Sequence, residues 1–424
     1  MAIGRTNISI FKSPVKVWGI EIDETVSDCY NMVSYPATLS TGQGTYTNGA
    51  YGATPMSGAG ASFNVGSWGS GNYAKLIEGI KPVSFNGTTW ADLNKTSETD
   101  WPTDRDIFTE FPFRWLSITK SGSKITVMIA DSQYAPDSTF QDWAFLGADG
   151  TTRRPNFHLG CYTASGTVSG GVFSKKGTSN LVSTVLNQYW VAASKRGTEY
   201  DCLPYQMWVY LQCLFLVLYK STNCQTTHSK GYSGGSAVQS NSAFADYGNN
   251  YGMYGSTSSS TAQNAFFWLH NLWGNMYQFS ASVFVRAGST KAIYYCLSAM
   301  SRSSNWDNSS WNNTSTSYRA KQTNIGVASG SVGKAVGDYY TKACGTNGAG
   351  FLPASDSGTG SATTYFPDYS SVGSYSSYAV FAYLGGYCGS GDYCGLFCGY
   401  VSNSSTTAGV YYGSRLAYRG GHNY

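Results

Sequence analysis

Three cysteines stand close together near the end of the chain, at Cys388, Cys394 and Cys398. Thiols this close in sequence could form a redox pair, close a disulfide or stay free. None of the ten cysteines forms a CxxC pair, so the sequence disfavours a zinc ribbon and a thioredoxin-like motif. All three alternatives for the cluster stay open at the level of sequence.

The four histidines, His158, His228, His270 and His422, show no ligand-like spacing, and we expect no metal site. His270 lies in an apolar, helix-like segment and is expected to be a hydrogen-bonded core residue. His228 follows Cys224 by four residues, but no third residue is in place to orient such a pair. No GxGxxG turn, phosphate loop or HExxH motif occurs. The histidines and these motifs therefore give no sign of catalysis.

The stretch from 378 to 419 consists largely of Tyr, Gly, Ser, Cys and Asn. Tyrosine offers a large, rigid contact area with few rotatable bonds, and Ser, Gly and Asn adapt their hydrogen bonds. The segment lacks the periodic Leu, Ile and Val of a core helix or strand. This composition is typical of a binding surface. The alternatives are a loop packed against its own domain and a subunit interface.

Length and charge limit the classes of protein. With 424 residues the chain can bury a large core, and only 12% of the residues are charged. The net charge of +4 comes without a Lys/Arg run, which argues against a nucleic-acid partner. No signal peptide opens the chain, and the longest apolar stretch, Met207–Tyr219, is too short to span a bilayer. We expect folding in a cytoplasm and no membrane insertion.

Strands and loops with a few helices are expected to position these residues, in an α+β fold. A buried helix is predicted at about 204–219 and a second helix at Ala265–Phe279. Ser40–Asn72 is expected to form loops with little core, because it is rich in Gly, Ser and Thr. Further strands are predicted at Val15–Ile22, Phe111–Ile118, Lys124–Ile129 and Asn156–Tyr162, with a hairpin at Phe284–Ser298 that turns at Gly288.

Four short motifs are spaced along the chain, namely Gly385-Gly386, Gly395-Leu396-Phe397, Gly413-Ser414-Arg415-Leu416 and Trp273-Gly274-Asn275. Together they resemble motifs of the variable proteins of diversity-generating retroelements, which are receptor-binding proteins of phages, archaeal viruses and bacteria. The segments 18–23, 110–112 and 219–225 add weaker matches. The resemblance implies a C-type lectin fold of the formylglycine-generating-enzyme-like branch over 101–424, with a variable region at about 378–419. A small, mostly β region is expected at 1–100.

The resemblance divides the end of the chain into a scaffold and a display set. Exchanges on a solvated face usually change stability by less than about 0.5 kcal/mol, so a display set can vary without unfolding the domain. The scaffold, which would turn and anchor the backbone, comprises Gly385, Gly386, Leu396, Phe397, Gly413, Arg415, Leu416, Trp273 and Asn275. The display set, which would point outward and bind the ligand, comprises Tyr383, Tyr387, Cys388, Ser390, Asp392, Tyr393, Cys394, Cys398, Tyr400 and Ser402.

The family resemblance also implies a mechanism of diversification. In such proteins an error-prone reverse transcriptase mutates template adenines, which converts AAY codons into NNY codons. These codons never encode Lys, Glu, Gln, Met or Trp, and residues 343–424 contain none of the five. On this hypothesis the three clustered cysteines are products of NNY codons and are expected to be free, partly exposed thiols.

The function implied is non-enzymatic receptor binding at a viral tail-fibre tip, or at a cell surface if the protein is cellular. Its partners would be a host cell-surface protein or glycan and, through residues 1–100, other virion tail proteins; a homotrimer is one option. No cofactor is expected, although some relatives hold a structural calcium at the position of Asn275. Two other hypotheses stay open. They are a formylglycine-generating-type copper oxidase that uses Cys394 and Cys398, and a virion protein whose tyrosine-rich end is a subunit interface.

Overall fold

The fold is a mixed α+β arrangement, rich in strands and with few helices in the described part of the chain. The expected turn residue Gly288, together with Cys296 and Cys344, lies outside the described residues. The computed structural model describes residues 15–242, 246–285, 292–295, 323–324, 350–351, 361, 363–372, 380–403 and 407–422.

Most strands are short and are joined by tight turns, as expected for a chain with 50 glycines. In chain order they are β1 (Lys16–Asp23), β2 (Val33–Ser34), β3 (Thr38–Ser40), β4 (Thr45–Thr47), β5 (Lys81–Phe85), β6 (Trp90–Asp92), β7 (Asp106–Pro112), β8 (Trp115–Ser121), β9 (Lys124–Asp131), β10 (Asn156–Gly160), β11 (Ser165–Thr167), β12 (Gly171–Phe173), β13 (Tyr200–Cys202), β14 (Ala265–Phe266), β15 (Leu269–His270), β16 (Tyr277–Val285), β17 (Ala292–Tyr295), β18 (Thr323–Asn324), β19 (Ser370–Val372), β20 (Val380–Leu384), β21 (Gly399–Asn403), β22 (Tyr412–Gly413) and β23 (Leu416–Tyr418).

Three larger sheets organise these strands. The first has the order β2-β1-β9-β8, and the second has the order β13-β23-β10-β7-β5-β6. The third has the order β18-β17-β16-β20-β21-β19, with β22 pairing in parallel with β16. The last strands of the chain therefore join sheets whose other members lie far earlier in the sequence.

The sheets run across residue 100 without a break. The whole of β1 pairs with β9, so that Lys16 lies opposite Asp131 and Asp23 opposite Lys124. β5 likewise pairs with β7. Trp18 is buried in the same apolar cluster as Leu211 and Leu396. The described part of the first hundred residues thus shares its core with the rest, while an attachment role for it stays a prediction.

The predicted apolar helix is confirmed and lies at the centre of the core. All of its side chains are buried. Pro204 precedes the first turn, where its missing N–H is not needed, and Lys220 ends the helix in a left-handed conformation with φ of 51°. No helix in the described ranges has the length and apolarity to cross a bilayer. The helices are α1 (Gly71–Ala74), α2 (Leu186–Ser194), α3 (Tyr205–Tyr219) and α4 (Cys224–Thr227), with short 3-10 turns at Gly60–Ser62, Gly66–Gly69, Trp143–Phe145 and Gly391–Tyr393.

The predicted helix at Ala265–Phe279 is wrong. This segment forms the two-stranded pair β14–β15 and the start of β16. Phe267, Trp268 and Asn271 have φ of 49°, 60° and 49°, which no right-handed helix contains. Every residue of the segment is buried, polar residues included, so its apolar residues show no period that separates a helix from a strand.

Two other predicted segments also differ from the structure. The strand expected at Phe111–Ile118 is divided, because β7 ends at Pro112 and β8 begins at Trp115 in a different sheet. The polar tract Ser40–Asn72 does contribute to the core, since Met56 and Trp68 are buried. Isolated apolar residues in a polar tract give no periodic signal, so their burial depends on tertiary contacts.

Candidate functional site

A turn at two glycines begins the loop 385–398, which we call the display loop. Gly385 and Gly386 have φ of 86° and 75°, a conformation that side chains with a Cβ rarely adopt. A Cβ on Gly386 would lie 2.5 Å from the Cβ of Cys394, and one on Gly385 would lie 2.9 Å from the carbonyl oxygen of Leu272. Both positions therefore require glycine, for reasons of conformation and of space.

Helix α3 anchors the far end of the display loop. The carbonyl oxygen of Leu396 accepts two hydrogen bonds, one from Trp208 Nε1 and one from Gln212 Nε2, both at 3.0 Å. The side chains of Leu396 and Phe397 are buried, as predicted. Gln212, a polar residue in the middle of the apolar helix, thus satisfies a buried main-chain acceptor.

A second anchor comes from α4 and from a buried carboxyl. Gln225 Nε2 donates to the carbonyl oxygen of Asp392 at 2.9 Å and also to that of Cys394. Asp368 Oδ2 accepts from the main-chain N–H of Phe397 at 2.7 Å. Burial raises the pKa of Asp368 to about 7. The loop is therefore held by main-chain hydrogen bonds, which do not depend on the identity of its exposed side chains.

Half of the predicted display set does not face the solvent. The display loop folds back onto the core, and strand β20 places its inward-facing side chains beneath the surface, so the expectation of outward side chains is wrong at these positions. The buried members are Tyr383, Cys388, Ser390, Cys394 and Cys398.

The three clustered cysteines are free and buried, so the expected partial exposure is also wrong. Burial raises the pKa of Cys394 to about 12 and that of Cys398 well above its ordinary value. Cys394 Sγ donates to the carbonyl oxygen of Lys230 at 3.4 Å. These two thiols are therefore protonated near neutral pH and behave as small core side chains.

Two of the remaining display positions, Asp392 and Tyr393, are open to solvent. Tyr393 keeps 40% of its surface exposed, and the side chain of Asp392 keeps 66%. Tyr387 and Tyr400 are half-buried. The side chain of Ser402 lies outside what the structure describes. Asp392 and Tyr393 form the outer tip of the loop, above the anchors at Gln225.

Tyrosines from separate stretches of the chain gather around the display loop, and we call this group the tyrosine surface. Two of its members, Tyr277 and Tyr383, are buried, and the others are half-buried or exposed. The upper members are Tyr369, Tyr387, Tyr393, Tyr400, Tyr411 and Tyr412.

Ring contacts make the tyrosine surface continuous. Tyr277 stacks on Tyr412 with centroids 5.5 Å apart and meets Tyr400 edge-on at 5.0 Å. Tyr400 contacts Tyr369 at 5.0 Å, and Tyr387 contacts Tyr277 at 5.1 Å. Burial raises the pKa of Tyr277, Tyr369, Tyr400 and Tyr412 above that of a free phenol. The hydroxyl groups therefore stay protonated near neutral pH and can both donate and accept hydrogen bonds.

Sequence reasoning found only part of this surface. It named Tyr387, Tyr393 and Tyr400, but it did not name Tyr369 or Tyr277. The available signal for Tyr277 was its place directly after the Trp-Gly-Asn-Met motif. Tyr369 gave no signal, because it lies upstream of the variable region expected at about 378–419.

A cleft of about 330 Å³ adjoins the tyrosine surface and shares Tyr411 with it. Small hydroxyl, amide and apolar side chains form its wall, and Val410 is 54% exposed at its edge. None of the lining residues that the structure describes is charged, so they offer neutral hydrogen bonds and apolar contact. Lining residues besides these two include Ser179, Asn180, Ser236 and Ser240.

The end of the chain is locked into the core through Arg415, which is completely buried. Its Nη1 donates to the carbonyl oxygens of Gly160 and Cys161 at 2.6 and 2.8 Å. Its Nη2 donates to His270 O at 2.5 Å, and its Nε donates to Gln278 Oε1 at 3.0 Å. Burial lowers its pKa to about 9. The guanidinium thus joins three chain segments beneath the tyrosine surface.

The other scaffold positions are also buried. Leu416 is in the core, and a Cβ on Gly413 would overlap Met276 Sδ. Asn275 binds the main chain of Gln239 with both amide atoms, accepting at 2.8 Å and donating at 3.0 Å. Trp273 Nε1 donates to Ser229 O at 2.9 Å. The Asn275 side chain therefore fastens a neighbouring loop.

Two histidines have structural partners. His228 bonds to Tyr219 Oη at 2.8 Å and to the carbonyl oxygen of Ala265 at 2.9 Å, and burial lowers its pKa to about 4. His270, in β15, contacts Glu98 Oε1 at 2.5 Å and Tyr247 Oη at 2.6 Å. The prediction of a satisfied core residue is confirmed for His270.

No family model and no curated protein matches this chain. Among solved structures, the chain is similar to one described as "Major Tropism Determinant U1 Variant". The match covers 80% of this chain and 72% of that chain, at 12% sequence identity and a TM-score of 0.29. A TM-score this low does not establish a shared fold, so the α+β class rests on the strands and helices described above.

Proposed function

We propose that this protein is a non-enzymatic receptor-binding protein whose tyrosine surface binds a host cell-surface protein or glycan. One observation carries the proposal: half-buried tyrosines from several separate stretches form one continuous surface over a loop that is anchored by its main chain. Tyrosine is enriched at the energetically dominant positions of binding sites.

The physical separation of anchor and surface supports diversification by a retroelement. Trp208, Gln212 and Gln225 bind carbonyl oxygens of the display loop, which every amino acid possesses. Side chains at Asp392 and Tyr393 can then change with little effect on the fold. Within the proposal, a C-type lectin fold would supply this scaffold.

The proposal revises the set of variable positions. Buried members of the display set, such as Cys394 and Cys398, belong to the scaffold. We further propose that the protein lies at a viral tail-fibre tip, attaches through residues 1–100 and assembles as a trimer. Several copies would raise the apparent affinity by avidity. The positions proposed to vary are Tyr387, Asp392, Tyr393, Tyr400 and Tyr411.

Sequencing of the gene region in a population of the source tests the diversification directly. We expect a near-copy of the last coding bases beside a reverse-transcriptase gene, differing at template adenines. Substitutions should concentrate at the codons of Asp392 and Tyr393. The codons of Gly386, Leu396 and Arg415 serve as controls and should stay unchanged. Substitutions spread evenly along the gene, or centred on buried codons, would contradict the proposal.

A further inference from the structure

Three residues that are far apart in sequence meet at the edge of the second sheet. β10 pairs with β7 so that His158 lies directly opposite Glu110. His158 Nε2 is 3.0 Å from Glu110 Oε2, and His422 Nδ1 is 3.6 Å from the same oxygen. One ligand atom from each residue lies within 4.8 Å of the other two.

The position of His422 is fixed by the sheet although it lies close to the end of the chain. Its main-chain N–H donates to Asn156 Oδ1 at 2.7 Å, and its carbonyl oxygen accepts from Asn156 Nδ2 at 2.8 Å. The indole of Trp90 lies 4.0 Å from the His158 ring and 5.2 Å from the His422 ring. Both imidazoles are therefore held in place without any contribution from an ion.

Spacing and donor chemistry match a small divalent ion. Zn²⁺ binds imidazole nitrogen and carboxylate oxygen at ~2.0–2.1 Å, so neighbouring ligands of a tetrahedral ion are ~3.4 Å apart. The distances from Glu110 Oε2 to His158 Nε2 and His422 Nδ1, 3.0 and 3.6 Å, lie on either side of this value. The ligand nitrogens of the two imidazoles also lie within 4.8 Å of each other.

We propose that Glu110, His158 and His422 form a binding site for a first-row divalent transition ion of the Zn²⁺ type. Two imidazoles and one carboxylate are a common three-ligand set for such ions, and they leave one position for water or a further ligand. His422, whose side chain is 18% exposed, lies between the buried pair and the solvent. The ion would fasten the end of the chain to the second sheet.

A lysine adds a positive charge beside the proposed site. Lys81 Nζ lies 3.9 Å from Glu110 Oε1, the oxygen other than the one that contacts both histidines. The same ammonium pairs with Asp92 at 2.7 Å. Its positive charge opposes a cation at Glu110 Oε2, so removal of the charge should strengthen binding of the ion. A cluster that serves only as a hydrogen-bonded element predicts no such gain.

Calorimetric titration of ZnCl₂ into the tag-free, chelator-treated full chain tests the site. We expect one saturable site per chain, and a loss of affinity of at least about 100-fold in His422→Ala, since a ligand atom is lost. Lys81→Gln should bind at least as tightly as the unaltered protein. Absence of saturable binding in the unaltered protein, or unchanged affinity in His422→Ala, would overturn the proposal.

Cobalt spectroscopy separates this site from adventitious binding by the cysteines. Co²⁺ at a site of nitrogen and oxygen ligands shows visible d–d bands without a thiolate charge-transfer band, and Glu110→Gln should abolish these bands. A thiolate charge-transfer band that persists in Glu110→Gln and in His422→Ala would assign the ion to cysteine and reject the proposal. If Glu110→Gln fails to fold, His422→Ala decides the outcome, because its side chain is at the edge of the sheet.

Discussion

The ring of Tyr277 stacks on the ring of Tyr412, with centroids 5.5 Å apart and an interplanar angle of 18°. The two residues are register partners in the parallel pair β16–β22. Strand β16 thus supplies the buried ring of Tyr277, against which Tyr412 of β22 packs. The tyrosine surface is consequently a product of sheet pairing, and its upper members can be altered without removal of the Tyr277 ring.

Tyr393→Ala should weaken binding to receptor-bearing host cells at least about 10-fold, because tyrosine side chains often supply more than 1.4 kcal/mol at the centre of an interface. Flow cytometry with labelled full-length protein measures this effect. Tyr134→Ala is the matched control, since Tyr134 is 65% exposed and lies outside the tyrosine surface. Equal losses in both variants would argue against this surface as the binding site.

Gly386→Ala should destabilise the protein by more than ~2 kcal/mol, measured by chemical denaturation. The added Cβ would overlap Cys394, and the alanine would also have to adopt a φ of 75°. Gly391→Ala separates the two effects, because Gly391 has a φ of 56° but no atom within 4 Å of the added Cβ. That control should cost only ~1 kcal/mol. Equal costs would show that the clash is relieved by movement of the loop.

Arg415→Met should lower the free energy of unfolding by ~3 kcal/mol or more, because it removes the guanidinium donors that bind the buried carbonyl oxygens of Gly160, Cys161 and His270. Arg415→Lys should recover only part of this loss, since an ammonium cannot reproduce the planar array of donors. Arg105→Met, at an exposed ion pair with Asp104, should leave the melting temperature unchanged. A mild effect of Arg415→Met would mean that water replaces the guanidinium.

Asp368 should make stability depend on pH. Burial raises the pKa of this carboxyl to about 7 in the folded protein, against 3.8 without burial. Between roughly pH 4 and pH 7 the folded state keeps a proton that the unfolded chain has released, so the free energy of unfolding falls as pH rises. Above about pH 7 both states are ionised and the dependence ends.

Asp368→Asn should remove this dependence and should be more stable than the unaltered protein near pH 8, by on the order of 2–4 kcal/mol. Urea denaturation at several pH values measures the slope. Asp104→Asn, at an exposed carboxylate, is the control and should keep the slope of the unaltered protein across this window. A persistent slope in Asp368→Asn would assign the dependence to another group.

Elements with a strong local signal were predictable. The apolar run around Leu211 is long enough for a helix and follows a proline, and α3 forms there. Ala265–Phe279 is also rich in apolar residues but contains residues with positive φ, which composition does not reveal. The glycines at 385 and 386 indicated a tight turn, and the structure has positive φ at both.

The candidate site was only partly predictable, because the direction of a side chain depends on which face its neighbours cover. Tyr393 and Cys394 are adjacent in sequence and similar in expected role, yet one is exposed and the other is buried against α4 and the segment that follows it. Sequence alone could not separate them, since the segment has no regular period that assigns residues to an inner or outer face.

The sequence by itself determined the low charge, the buried central helix and a tyrosine-rich end suited to binding, because these follow from composition and local pattern. Only the tertiary structure decided which tyrosines form one surface, and it alone brought Glu110 and His158 to His422. Such contacts join residues that are distant along the chain, and they depend on the register of paired strands, which no local pattern of residue types encodes.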